Sequence, residues 1–143
     1  MTEEFWTDLE MVKDYQFRIR SDEEEVREVM SDESPPVGRG EHPNAMHCLS
    51  AAVGNCLCAS LAFCLRKARA DPSSIKARVR TTMGRNQRGR LRVLSMQVTI
   101  IPQVEDPEKL KRCLPLFQDF CTVSAAVREG IDIEVSVQVD DTP

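Results

Sequence analysis

The sequence predicts a segregated α+β fold, and three observations lead there. One apolar segment, "AMHCLSAAVGNCLCASLAFCL" from Ala45 to Leu65, holds no Asp, Glu, Lys or Arg and reads as a long helix. Runs in which apolar and polar residues alternate, the period of half-buried strands, lie on both sides of it. The order of elements is strands, long helix, hairpin, helix, strand, which lacks the regular strand–helix alternation of a doubly wound parallel sheet. At 143 residues the simplest organisation is a single domain over 1–143.

Residues 1–41 are read as N-terminal strands and a loop. In "EMVKDYQFRIR", Tyr15, Phe17 and Ile19 alternate with Gln16, Arg18 and Arg20, which predicts a half-buried strand. "SDEEEVREVMSDES" is a second exposed strand or a turn, and the Pro and Gly of "PPVGRGEHPNA" mark a loop. The long helix spans 44–70, with Asn44 placed to cap it and "RKARADP" ending it: bases suit the negative end of the dipole and proline stops the helix. Its apolarity on every side predicts burial all round. A hairpin over 74–101 pairs "SIKARVRTTM" with "RLRVLSMQVTII" through "GRNQRG". The second helix is expected over 106–118, capped by Asp106 with Pro107 at its first position, and kinked or ended early by Pro115. A short helical "VSAAVRE" follows Cys121, and "IDIEVSVQV" alternates strictly, so 121–139 is predicted to end in a final strand.

Net charge is −4, unevenly spread. Residues 1–41 carry −8, residues 66–92 carry +9, and residues 105–143 carry −5. The basic block raises the question of nucleic acid, but it has no aromatic residue for base stacking, so the expectation is a solvated hairpin face and no nucleic-acid partner. "MTEEFWTDLE" has neither a basic n-region nor an apolar h-region, so no secretory signal is expected and the protein is placed in the cytoplasm. The Ala, Ser, Gly and Asn content of the long helix argues against a membrane span.

Six cysteines in a cytoplasmic chain read as thiols with packing, metal or redox roles, not as a disulfide framework. Cys56 and Cys58 point about 200° apart on a helix and cannot share an ion. Cys48, Cys56 and Cys64 recur every eight residues and drift about 80° at each step. His42 and His47 fit no zinc spacing, so neither metal nor cofactor is expected. Most of these cysteines read as small apolar fillers. Cys121 differs. Standing just before a short helix, its sulfur would face free backbone N–H groups and the positive end of a dipole, the setting that favours a thiolate.

"PNAMHCLSAAVGNCLCASL", followed later by "FCTVSAAVREGIDIEVSV", resembles the OsmC/Ohr family, the osmotically inducible and organic hydroperoxide resistance proteins. Aligned on that family's helix signature, N-P-x-E-x-L-x-x-A-x-x-x-C, the first reactive cysteine falls on Cys56; the later C-P-V-S segment puts the second on Cys121. The resemblance implies an OsmC-like fold in which two antiparallel sheet regions wrap around long central helices of an intertwined homodimer. It implies a cysteine-based peroxidase for organic hydroperoxides or hydrogen peroxide, acting in oxidative stress defence. The route would run through a sulfenic acid and an intramolecular disulfide that an external dithiol reduces, without a cofactor. An arginine is expected beside the first thiolate, with Arg39 the nearest match and Arg18 and Arg20 its rivals. Three departures stand out: His47 in place of the motif carboxylate, Thr122 in place of the proline after the second cysteine, and an added Cys58. The missing carboxylate keeps a second class in play, an OsmC-fold thiol sensor or small-molecule binder without peroxidase turnover. His47 itself is either a substitute at the site or a plain polar residue at the helix start.

Overall fold

The computed structural model describes residues 2–140 and 142. In order, the elements are β1 (Thr7–Lys13), β2 (Gln16–Ser21), β3 (Val29–Ser31), α1 (Ala45–Lys67), β4 (Ser74–Arg85), β5 (Leu91–Gln103), α2 (Pro107–Cys113), a 3-10 turn (Phe117–Phe120) and α3 (Thr122–Glu129). The fold is α+β, with one three-stranded and one two-stranded sheet. The chain forms two compact units, Met1–Ala52 with Val79–Val98, and Val53–Arg78 with Thr99–Pro143.

In the first unit β1, β2 and β3 form an antiparallel sheet in that order, with Leu9 opposite Ile19 and Ile19 opposite Val29. The single strand expected over "EMVKDYQFRIR" is corrected to a hairpin. Asp14 takes a left-handed conformation (φ 49°), which aspartate tolerates, and a bulge between Met11 and Lys13 absorbs the odd residue. Alternation alone could not reveal this, because the pattern of Phe17 and Ile19 is the same whether the strand begins at Gln16 or earlier. Past β3, the buried carboxylate of Asp32 gathers the loop. It accepts from the backbone N–H of Glu33 (2.7 Å) and Glu41 (3.1 Å), and from Gln16 Nε2 (3.3 Å). Burial alone would raise this carboxyl; donation from the Glu41 and Glu33 N–H groups, Gln16 and the Arg39 N–H outweighs it and holds the carboxyl below its ordinary value. Asn44 then caps α1, its Oδ1 accepting from the N–H of His47 at 2.9 Å.

The β4–β5 hairpin closes through Asn86, whose Oδ1 accepts from the N–H groups of Arg88 and Arg90 (both 3.0 Å), with Gly89 at φ +72°. Lys76, Arg78, Arg80, Arg85, Arg88, Arg90 and Arg92 are all exposed.

The second unit is built on the later turns of α1. Val53, Leu57, Leu61 and Leu65 recur every fourth residue and form its buried face; Leu65 is fully covered. They pack in a core that includes Cys113, Phe117 and Cys121. Burial all round, expected from the sequence, is corrected: Asn55, Ala59 and Phe63 are exposed, because one chain supplies cover for one face of the helix. The helix ends at Lys67 and not at Ala70. Arg69 turns left-handed (φ 58°) and the Ala70 N–H reaches back to the Leu65 carbonyl at 2.8 Å, with Pro72 following. Asp106 caps α2 as expected, accepting from Glu108 N (3.1 Å) and Lys109 N (3.4 Å). The helix stops at Cys113 instead of continuing to 118, since Pro115 has no N–H and its ring would strike the carbonyl of the preceding turn.

The final strand expected within 121–139 is also corrected. Residues 131–139 have no ladder partner among the described residues, and Ile131, Ile133, Val135, Val137 and Val139 are 70% to 88% exposed. Alternation prepares a segment for a sheet, but a strand exists only once an edge receives it.

Candidate active site

Cys121 ends the 3-10 turn in an extended conformation (φ −85°, ψ 98°) and acts as the N-cap of α3. Its Sγ accepts from the Ser124 N–H at 3.4 Å, and the buried Ser124 hydroxyl donates back to the Cys121 carbonyl at 3.4 Å. The reciprocal pair is a capping arrangement in which sulfur replaces the usual side-chain oxygen. The residue is 1% exposed. Burial by itself would push this thiol up. The Ser124 hydroxyl and N–H, the Cys56 thiol and the Val123 N–H together outweigh that and bring it below the ordinary cysteine value.

Cys56 and Cys121 lie in the same unit, and the Cys56 thiol is near enough to help lower that of Cys121. Cys56 lies on α1, half-buried, beside the core-facing Leu57. The structure therefore brings together the two cysteines picked out in the sequence, one from mid-helix and one from a helix start. Two sulfurs so placed can exchange a proton, or lose two electrons and bond. Cys58, two residues on, is half-buried, and burial raises its thiol, so it stays protonated at neutral pH. At the same end of the unit the rings of Phe63 and Phe120 pack tilted at 6.3 Å, with Lys67 Nζ 5.5 Å from the centre of the Phe63 ring.

A second cysteine pair was missed by sequence reasoning. Cys64 on α1 and Cys113 at the end of α2 are joined by a disulfide, with Cα atoms 5.9 Å apart. The expectation of thiols and no disulfide framework is corrected at these two positions; Cys113 is buried and Cys64 half-buried. The available signal was their spacing, since Cys64 follows Cys56 by eight residues and Cys113 precedes Cys121 by eight. That match carries meaning only once Cys56 and Cys121 are known to meet.

The remaining site residues belong to the first unit. Arg39 is held by two carboxylates, Asp14 (3.5 Å) and Glu41 (3.9 Å). Its rivals Arg18 and Arg20 both bind Glu28, at 2.6 Å and 3.6 Å. His47 is exposed, and its Nδ1 lies 2.9 Å from the Asn44 side chain that caps its own helix. Among the described residues no three His, Cys, Asp or Glu side chains converge as a metal site.

Comparison with known proteins gives the family and the fold. The family model described as OsmC-like protein matches residues 38–136. An OsmC like protein from Mycoplasma pneumoniae superposes with a TM-score of 0.75 at 11% identity, over 91% of this chain and 91% of that one. A hypothetical protein from Aquifex aeolicus VF5 gives a TM-score of 0.70 at 19% identity, over 90% of each chain. An organic hydroperoxide resistance protein from Elizabethkingia anophelis gives 0.60 at 14% identity, over 92% of this chain and 93% of that one. No curated protein matches the chain.

Proposed function

The chain belongs to the OsmC-like family, and from that premise we propose that it is a cysteine-based peroxidase that reduces organic hydroperoxides or hydrogen peroxide. The observation that carries this reading is Cys121 at the N-cap of α3, its Sγ accepting from the Ser124 N–H, in the same unit as Cys56, whose thiol helps to lower that of Cys121. Cys56 as thiolate attacks the outer oxygen of the O–O bond; the alcohol or water leaves with one proton, and Cys56 becomes a sulfenic acid. The Cys121 thiolate then attacks that sulfur, hydroxide leaves as water, and a Cys56–Cys121 disulfide forms. An external dithiol restores both thiols by two exchange steps, and Cys121 departs readily because its thiolate is stabilised. No cofactor takes part.

The working form in this proposal is a homodimer. The exposed stripe of α1 and the unpaired, alternating 131–139 segment are the surfaces a second copy would cover, the one as helix contact and the other as a strand added to a sheet edge. α1 has the length and composition of a membrane span, yet Asn55 and Ser60 lie within it, and an interface between copies accounts for its apolarity. The cytoplasm is the compartment assigned, where dithiol reductants are at hand.

The deciding experiment is a thiol count after one equivalent of cumene hydroperoxide. Four thiols are free, Cys48, Cys56, Cys58 and Cys121, and two should disappear. None should disappear in Cys56→Ser. An unchanged count in the native chain refutes the proposal. One observation favours the sensor reading: His47, at the place of the motif carboxylate, is bound to Asn44. Loss of two thiols without repeated turnover in excess dithiol would select it.

A further inference from the structure

The peroxidase scheme makes no use of the Cys64–Cys113 bond, although it lies in the same unit as the working thiols. Along α1, eight residues separate Cys56 from Cys64, a rise of about 12 Å. Eight residues also separate Cys113 from Cys121, and they form a turn and the 3-10 segment, not a continuous helix. Within that stretch Leu114, Leu116 and Phe120 are at least half exposed and Phe117 alone is buried. Besides the buried Phe117, the ties on α2 and this stretch include a hydrogen bond from Lys109 Nζ to the Arg69 carbonyl (3.3 Å), one from Arg128 Nη2 to Gln118 Oε1 (3.0 Å), and the packing of Phe120 on Phe63. Among the described residues the disulfide is the one covalent cross-link, beyond the main chain itself, between the helix that carries Cys56 and the segment that carries Cys121.

We propose that Cys64–Cys113 is a second redox site, a dithiol/disulfide couple whose closure holds Cys121 against Cys56 and whose reduction lets it go. This rests on Cys56 and Cys121 being the working pair. The reactants are monothiols of the glutathione class. A thiolate attacks Sγ of Cys64, the less buried of the two residues, and Cys113 leaves as thiolate and takes up a proton. A second thiol releases the mixed disulfide, so that two thiols are oxidised and two cysteines reduced. Closed, the couple makes the meeting of Cys56 and Cys121 nearly intramolecular within a rigid bracket; open, the 114–120 segment adds its own freedom to that step. A Cys56 sulfenic acid would then be resolved fast in the closed form and persist in the open one.

The test is an equilibrium in glutathione buffers on the full chain, with acid quenching and peptide mass mapping that scores both bonds at every poise. The constant for closing Cys56–Cys121 should fall about five- to hundred-fold in Cys64→Ala, the range of ordinary intersite coupling. By reciprocity, the constant for closing Cys64–Cys113 should fall by the same factor in Cys56→Ser, which leaves the buried cysteines in place. Should Cys64→Ala fail to fold, the Cys56→Ser arm decides alone. Constants within two-fold of the native chain in that arm overturn the proposal. Neither arm uses peroxide, so coupling in a chain that consumes no hydroperoxide refutes the peroxidase reading only.

Discussion

Cutting the Cys64–Cys113 bond should destabilise the protein by an amount that can be worked from its place in the chain. The bond closes a loop with a sequence separation of 49 residues. Cross-linking removes conformations from the unfolded ensemble, and for a loop of that length the chain-entropy value is about 4 kcal/mol at 25 °C. At an unfolding entropy of about 2.1 cal/mol/K per residue, the whole chain changes by about 0.3 kcal/mol per degree, so Tm should drop by about 13 °C on reduction. The clean comparison uses the Cys56→Ser/Cys121→Ser double variant, in which the working pair cannot close and Cys64–Cys113 is kept. Calorimetry with and without a phosphine reductant, at one fixed protein concentration, reads the difference directly. If reduced and oxidised forms melt within 2 °C of each other, or if mapping finds Cys64 and Cys113 free in the isolated protein, the assignment of the bond as a structural tie fails.

The division of labour between the working thiols predicts that Cys121→Ser still reacts once with hydroperoxide and accumulates a Cys56 sulfenic acid trapped by dimedone, while Cys56→Ser does not react; sulfenic acid on Cys121 in the native chain would reverse the roles. Thiolate absorbance should show Cys121 ionising below the ordinary cysteine value and Cys58 above it, with Ser124→Ala moving Cys121 upward. The linked stabilities have opposite signs. Cys121, lowered by folding, contributes stability above its unfolded value that is lost as pH falls through the folded one. Cys58, raised by folding, contributes below its unfolded value and loses that contribution as pH rises through the folded one. The proposed homodimer should be seen by sedimentation of the full chain at micromolar concentration and be lost when the chain is ended after Gly130; a monomeric full chain refutes the dimer, and a dimer unchanged by the truncation shows that 131–139 is not part of the interface.

What was legible in the sequence was local. Asn44 and Asp106 could be read as caps because a cap acts within three residues of itself, and the same reach made Cys121 visible as a sulfur at a helix start. Pro115 announced an early stop for α2 for a reason confined to one turn. Long-range pairings were not legible. Nothing local distinguishes Cys64 from Cys48, and the bond to Cys113 depends on how α2 is laid against α1. The meeting of Cys56 and Cys121 was available only through the family resemblance. The alternation in 131–139 said that one side would be covered and was silent on what would cover it. The hairpin at Asp14 escaped because a left-handed aspartate has no signature in the surrounding period.

The loop that presents Arg39 has a further consequence, which concerns how freely this region can vary. Asp32 draws donors from three places in the chain: Gln16 on β2, its neighbour Glu33, and the Arg39–Glu41 turn. Hydrogen bonds between the Asp32 N–H and the Pro43 carbonyl (3.1 Å), and between the Gly40 N–H and the Glu33 carbonyl (3.0 Å), close the same ring from outside. Such a loop keeps its shape through the inward-facing Asp32, the Glu41 carboxylate that also accepts from Gln16 Nε2 (2.8 Å), and its own backbone, so side chains that make none of these contacts are released from structural duty. Substitutions at Glu33 or Val37, both exposed, should pass without effect on folding, whereas a side chain at Gly38 would meet the Glu33 carbonyl and at Gly40 would face a left-handed backbone. Variation among homologues should therefore be wide at the rim of this loop and narrow at Asp32, Gly38 and Gly40, so that the rim can diverge while the scaffold beneath it stays fixed.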